Sequence, residues 1–150
     1  MNLTERIAED MKTAMKTGDK LRLETLRTIR AAILEFEKQK AGNVLSDDAA
    51  RDILVTAAKR RREAIEQYRD AGRDDLADTE SKELEIIQAY LPEQLDDDAL
   101  ETIIRERIAT TGASGLQDLG RVMGPLAKEL KGRAEGAKIQ QIVRTLLGGA

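Results

Sequence analysis

Apolar residues recur every three or four positions along almost the whole chain, the period of an α-helix with one face turned to a core. Over residues 2–17 they are Leu3, Ile7, Met11, Ala14 and Met15, and Gly18-Asp19 ends that helix and can start the next. From about Lys20 to Lys40 the stripe is Leu23, Leu26, Ile29, Ile33 and Phe36, with Arg22, Glu24, Arg27 and Lys38 on wetter flanks and Ala41-Gly42-Asn43 closing it. Ser46 reads as an N-cap, and Asp47 and Asp48 put negative charge at the positive end of the helix dipole. The third helix runs to about Ala71 through Leu54, Ala57, Ala58, Arg61, Ile65 and Tyr68, and Gly72 stops it. Asp74 then reads as the cap of a fourth helix striped by Ala77, Leu84, Ile87 and Leu91, with Glu80, Glu83 and Glu85 mostly in water.

Pro92 disfavours helical geometry at Leu91, so the chain leaves the fourth helix at Tyr90-Leu91-Pro92, and domains over 1–92 and 93–150 are expected. Asp96 reads as the next N-cap, with Leu95 and Leu100 placed as a hydrophobic staple, and the fifth helix spans about 97–110 before Thr111-Gly112-Ala113. Ser114 and Gln117 have capping-box spacing for a sixth helix through Leu116, Leu119, Val122, Met123, Leu126 and Leu130, ending at Gly132. Gly124-Pro125 lies inside it, where proline removes a backbone donor and should kink or break the helix. A seventh, from about Ala134 to Leu147, carries Ile139, Ile142, Val143, Leu146 and Leu147. The expected fold is all-α, an N-terminal four-helix bundle or paired helical hairpins followed by a small three-helix domain.

Composition then narrows the chemistry. The chain has no histidine, no cysteine and no tryptophan, which removes the side chain that titrates near neutrality, the thiolate nucleophile and the soft metal ligand. A binding module is therefore expected before an enzyme. Glu80, Glu83 and Glu85, like Asp96, Asp97 and Asp98, lack the spacing of a calcium loop, so no metal and no cofactor are expected. There is no glycine-rich phosphate loop. One phenylalanine and two tyrosines are too few to stack single-stranded bases, so any nucleic acid would be met through its phosphates and shape. No apolar run reaches the roughly 18 residues of a membrane span, and no signal-peptide core opens the chain, so a cytoplasmic protein without a membrane partner is expected.

Charge is distributed unevenly. Residues 95–118 hold two basic and six acidic side chains, whereas residues 119–150 hold six basic and two acidic, balances of −4 and +4 within a net charge of −3. The densest basic run, Lys59-Arg60-Arg61-Arg62, spreads around its helix, and Glu63 and Glu66 stand four residues after Lys59 and Arg62 for intrahelical pairing. Around the turn Lys131-Gly132-Arg133-Ala134-Glu135-Gly136 gather Arg121, Lys128, Lys131, Arg133, Lys138 and Arg144. Such a turn, delivering a helix N-terminus among cations, can seat phosphate, or it can be a tight interhelical turn with solvated lysines. Gly120 and Gly124, four apart on the sixth helix, would let another helix or a backbone approach closely.

One set of residues runs through the first part of the chain: Leu26-Arg27, Lys59-Arg60-Arg61 with Ile65 and Tyr68, Ala71-Gly72-Arg73, Asp75-Leu76-Ala77, Glu80, Glu83, Tyr90-Leu91-Pro92 and Gln94-Leu95. Another, in the second half, is Gly120, Val122, Met123, Lys131-Gly132-Arg133-Ala134 and Gly136. Through these residues the whole chain resembles the YqeY-like proteins, whose C-terminal half is similar to the tail domain of the B subunit of glutamine-dependent aminoacyl-tRNA amidotransferase, with Glu135 at a position more often aspartate. The resemblance implies an accessory module that contacts tRNA or associates with amidotransferase subunits, with the carbon-nitrogen ligase chemistry residing elsewhere. Taken with the cations gathered around the turn, that role makes Arg121, Lys128, Lys131, Arg133 and Lys138 the expected tRNA contacts. The rival expectation is a helical protein-protein adaptor whose cations are incidental.

Overall fold

A computed structural model of the chain describes residues 1–39, 42 and 44–148. Among them are seven α-helices, one 3₁₀ turn and no strand: α1 Leu3–Thr17, α2 Lys20–Gln39, α3 Asp47–Asp70, α4 Asp74–Gln88, α5 Asp97–Thr111, α6 Leu119–Glu129 and α7 Gly136–Leu146. The all-α expectation holds. The chain separates into two compact units, Met1–Leu91 and Pro92–Ala150. The second helix's predicted close falls partly on Lys40, Ala41 and Asn43, which lie outside the described residues.

Local signals explain most helix ends. The Asn2 side chain accepts from the Glu5 N–H at 2.9 Å in a capping box that starts α1, and Gly18, at φ 74°, turns the chain out of it. Ser46 Oγ accepts from the Ala49 N–H at 3.1 Å to start α3, and the Asp96 carboxylate accepts from the Ala99 N–H at 2.8 Å to start α5. Three expectations are corrected. Arg73 holds the N-cap position of α4, so Asp74 falls inside the first turn, where it meets the dipole without capping. Ser114 caps nothing; its N–H donates to the Asp118 carboxylate at 3.0 Å, and a 3₁₀ turn over Leu116–Asp118 leads into α6. α6 does not break at Pro125 but continues to Glu129, because Pro125 stands on the exposed side, where the Arg121 carbonyl it deprives of a donor can reach water.

In the first unit α1 pairs with α2 and α3 with α4, and α2 packs on both helices of the second pair. Ile7 and Met11 of α1, Leu26, Ile29 and Ile33 of α2, Leu54 and Ala58 of α3, and Ile86 and Ile87 of α4 make its core. Thr25, also buried, donates its hydroxyl to the Leu21 carbonyl at 2.8 Å, so that hydroxyl has a partner. Tyr90, just past α4, closes the unit. Its hydroxyl donates to Asp10 of α1, and the Arg6 guanidinium lies 5.0 Å from its ring centroid. Burial and the Asp10 carboxylate push the Tyr90 hydroxyl well above its ordinary range, so it stays a donor at every physiological pH. Tyr90→Phe should cost about 1 kcal/mol in urea denaturation, since it leaves a half-buried carboxylate short of a partner; no change in midpoint would refute the latch.

Glu80 and Glu83 do not lie in water as expected. They face Arg61 of α3, whose Nε is 3.9 Å from Glu80 Oε2 and 3.5 Å from Glu83 Oε2, with only 14% of the arginine side chain and 24% and 20% of the glutamates exposed. The helical period had placed Arg61 in the apolar register of α3, and an arginine in that register needs carboxylates on the helix it meets.

In the second unit, Leu100 and Ile104 of α5, Val122 and Leu126 of α6, Leu130 beyond it, Ile139 and Val143 of α7, and Leu147 form one cluster. The hairpin of α6 and α7, joined by residues 130–135, carries the cations that residue order brought together.

Candidate nucleic-acid interface

The five candidate residues fall on one hairpin, in two different states. Arg121 and Lys128 are seven residues apart on α6, two turns along the same exposed stripe. Arg121 spends donors locally: its guanidinium reaches the Thr111 carbonyl at the end of α5 and lies 3.5 Å from the Asp118 carboxylate, although 59% of its side chain is exposed. Lys138, in the first turn of α7, pairs with Asp97 at the start of α5. Lys128 is exposed, and Lys131 and Arg133 are half-buried on the turn itself.

The turn has a defined shape. Gly132 sits at φ 82°, the left-handed region where a side chain would be strained, and this lets the chain reverse directly after α6. The Arg133 N–H donates to the Leu130 carbonyl at 2.9 Å. From the far end of the unit, the Gln94 carboxamide donates to the Gly132 carbonyl, and to that of Pro92 at 3.2 Å, while the Leu95 N–H donates to the Arg133 carbonyl at 2.9 Å. Sequence reading missed this clasp, because nothing local links Gln94 to a turn 38 residues away.

Glu135 occupies the N-cap of α7 with no side-chain cap bond, and no acidic residue stands in the first turn. Helices α1, α3, α4 and α5 carry acids there, whereas α2 and α6, like α7, do not. The first turn of α7 therefore carries no acid of its own, while the Glu135 carboxylate stands at its N-cap and Lys138 is paired with Asp97. Such a hairpin end can attract and orient an anion; among the described residues no group of histidine, cysteine or acidic side chains is arranged to hold a metal. On the outer side of α6, a Cβ added at Gly120 or Gly124 would meet nothing within 4 Å, so the close approach expected there is not made by this chain.

The fold and this hairpin define a small all-helical protein of two units with a cationic turn in the second. Residues 4–147 match the family described as Yqey-like protein, and the chain belongs to it. It is 29% identical over 145 residues to altered inheritance of mitochondria protein 41 of Pyrenophora tritici-repentis, covering 92% of this chain and 79% of that protein. The protein of the same name from Eremothecium gossypii is 31% identical over 120 residues, 80% of this chain and 62% of the relative. That from Lachancea thermotolerans is 33% identical over 85 residues, 57% and 46% respectively. The cytoplasmic expectation is corrected here, since these relatives are named as mitochondrial proteins. Composition carries no compartment label that could have shown it. Among the described residues, no helix is long and apolar enough to cross a membrane.

Proposed function

We propose that the second unit is an accessory module that docks on the phosphate backbone of folded RNA of the tRNA class, leaving bond-making to other molecules. The observation that carries the reading is the uncapped start of α7 in the same hairpin as Lys128, Lys131, Arg133 and Lys138. Arg121, with donors already committed to Thr111 and Asp118, contributes charge at the edge of this surface. The family resemblance supports the same direction, toward a tRNA-contacting role beside an amidotransferase.

Labelled unfractionated tRNA should bind the full chain at low salt, with affinity falling steeply as salt rises. Reversing both cations of the turn, Lys131→Glu with Arg133→Glu, should weaken binding at least tenfold, roughly the effect of losing two phosphate contacts, and should lower the salt slope by about 1.8. No binding at low salt, or binding indifferent to the reversal, refutes the assignment. The open face of α6 at Gly120 and Gly124 favours a second reading, in which a partner helix packs there. Association with a partner that survives RNase and is lost on Gly120→Leu would select that adaptor role.

A further inference from the structure

We infer that Gln94 is a positioning residue for the anion-binding hairpin: it makes no contact with the ligand, and it fixes the turn that does. The inference rests on the RNA-docking reading and names the residue on which that surface's shape depends. Gln94 stands at the entry to the second unit, two residues before the Asp96 cap of α5, yet its carboxamide is spent on the Gly132 carbonyl, with a second acceptor at Pro92, 3.2 Å away. Its neighbour Leu95 donates to the Arg133 carbonyl at 2.9 Å. Two successive carbonyls of the basic turn are thereby held from outside the hairpin.

Within the hairpin the Arg133 and Ala134 N–H groups both donate to the Leu130 carbonyl, at 2.9 and 3.2 Å, and the clasp adds the anchors that come from outside it. Gly132 has the widest conformational freedom of any residue, and α7 begins with no side-chain cap to set its first turn. With the outside anchors removed, a glycine-centred turn gains freedom in how it presents Arg133 and the leading N–H groups of α7, and a fixed phosphate spacing would select only some of those arrangements. The clasp removes that choice before the ligand arrives, so the cost of ordering is met in folding. Glutamine suits the task because its carboxamide offers two donors to two carbonyls, whereas a carboxylate of the same shape would face them with oxygen.

The absence of histidine from the chain makes this testable by pH, because the chain lacks the side chain whose ordinary pKa lies near neutrality. Gln94→Met, which keeps bulk and adds no charge, should bind unfractionated tRNA about tenfold more weakly than the full wild-type chain, the scale of one net hydrogen bond. Its salt slope should fall by about 0.9 as one phosphate contact goes out of register. Gln94→Glu should be at least as weak at pH 8 and recover only as pH falls through the ordinary glutamate pKa of about 4.3, where the protonated acid can donate to Gly132 again. Ile104→Val, a core change on α5 in the same unit, should keep wild-type affinity and slope while lowering the melting temperature, separating positioning from general loss of stability. Should Gln94→Met fail to fold, Gln94→Asn, one methylene too short for Gly132, takes its place. Wild-type affinity and slope in Gln94→Met overturn the inference and leave the RNA reading standing. If the wild-type chain itself binds no tRNA, the reading fails and the inference falls with it.

Discussion

Arg61→Met is expected to destabilise the first unit by about 2–3 kcal/mol, somewhat less than removing one partner from a fully buried ion pair. The loss comes from what stays behind. Glu80 and Glu83 would remain three-quarters buried or more between α3 and α4, without the cation that lies 3.5–3.9 Å from them. Arg61 Nε is itself buried without a hydrogen-bond partner, so in the wild type the cluster is held by charge attraction at that atom. Burial and the neighbouring Glu80 already push Glu83 above the usual glutamate range, with Arg61 opposing them. The sign of the pH effect follows. A carboxyl whose folded-state pKa is raised binds its proton more tightly in the folded chain, so the stability it contributes is present below the ordinary glutamate pKa and is lost as pH rises through the raised one. The urea midpoint deficit of Arg61→Met should therefore be largest at pH 7 and shrink toward pH 4. Adding Glu83→Gln should recover part of it at pH 7. A deficit that does not vary with pH would mean that Arg61 acts through packing of its stem.

How far the residues alone disclose this cluster depends on distance along the chain. Caps act within three residues, which is why Ser46 and Asp96 could be assigned from spacing and are found accepting the expected N–H groups. The helical stripes likewise locate the core, since Leu26, Ile29, Ile33, Leu54, Ile87, Leu100, Leu126 and Val143 are all buried. What periodicity lacks is the identity of the facing helix. It put Arg61 in an apolar register and Glu83 on a wet one, while the pairing of α3 with α4 sets them against each other. At the candidate site the same limit applies. Residue order assembled the cations of the hairpin, but not that Lys138 is met by Asp97, Arg121 by Thr111 and Asp118, or Gly132 by Gln94. At Ser114 even a local signal misled, because Asp118, four residues on, offered its N–H a carboxylate acceptor.

Leu126→Ala is expected to have the larger consequence for function. Leu126 has no exposed surface and belongs to the cluster that joins α5, α6 and α7. Cutting its isobutyl side chain back to a methyl should cost about 3 kcal/mol, the lost transfer energy plus the cavity left behind. A unit of about 60 residues commands roughly 3–9 kcal/mol in all, so this one change consumes between a third and the whole of it. The second unit should then melt on the order of 12–24 °C below its wild-type temperature, a shift read by circular dichroism. In hydrogen exchange, amides of α5, α6 and α7 should lose protection while those of α1 to α4 keep it. Affinity for tRNA should fall in proportion to the folded fraction of the second unit and recover on cooling, because the cations are untouched and only the population that arranges them has changed. If both units lost protection together, they would form one cooperative system, and stability could not be apportioned between them. If protection were lost in the second unit alone while RNA binding persisted at full strength, the hairpin could not be the contact surface.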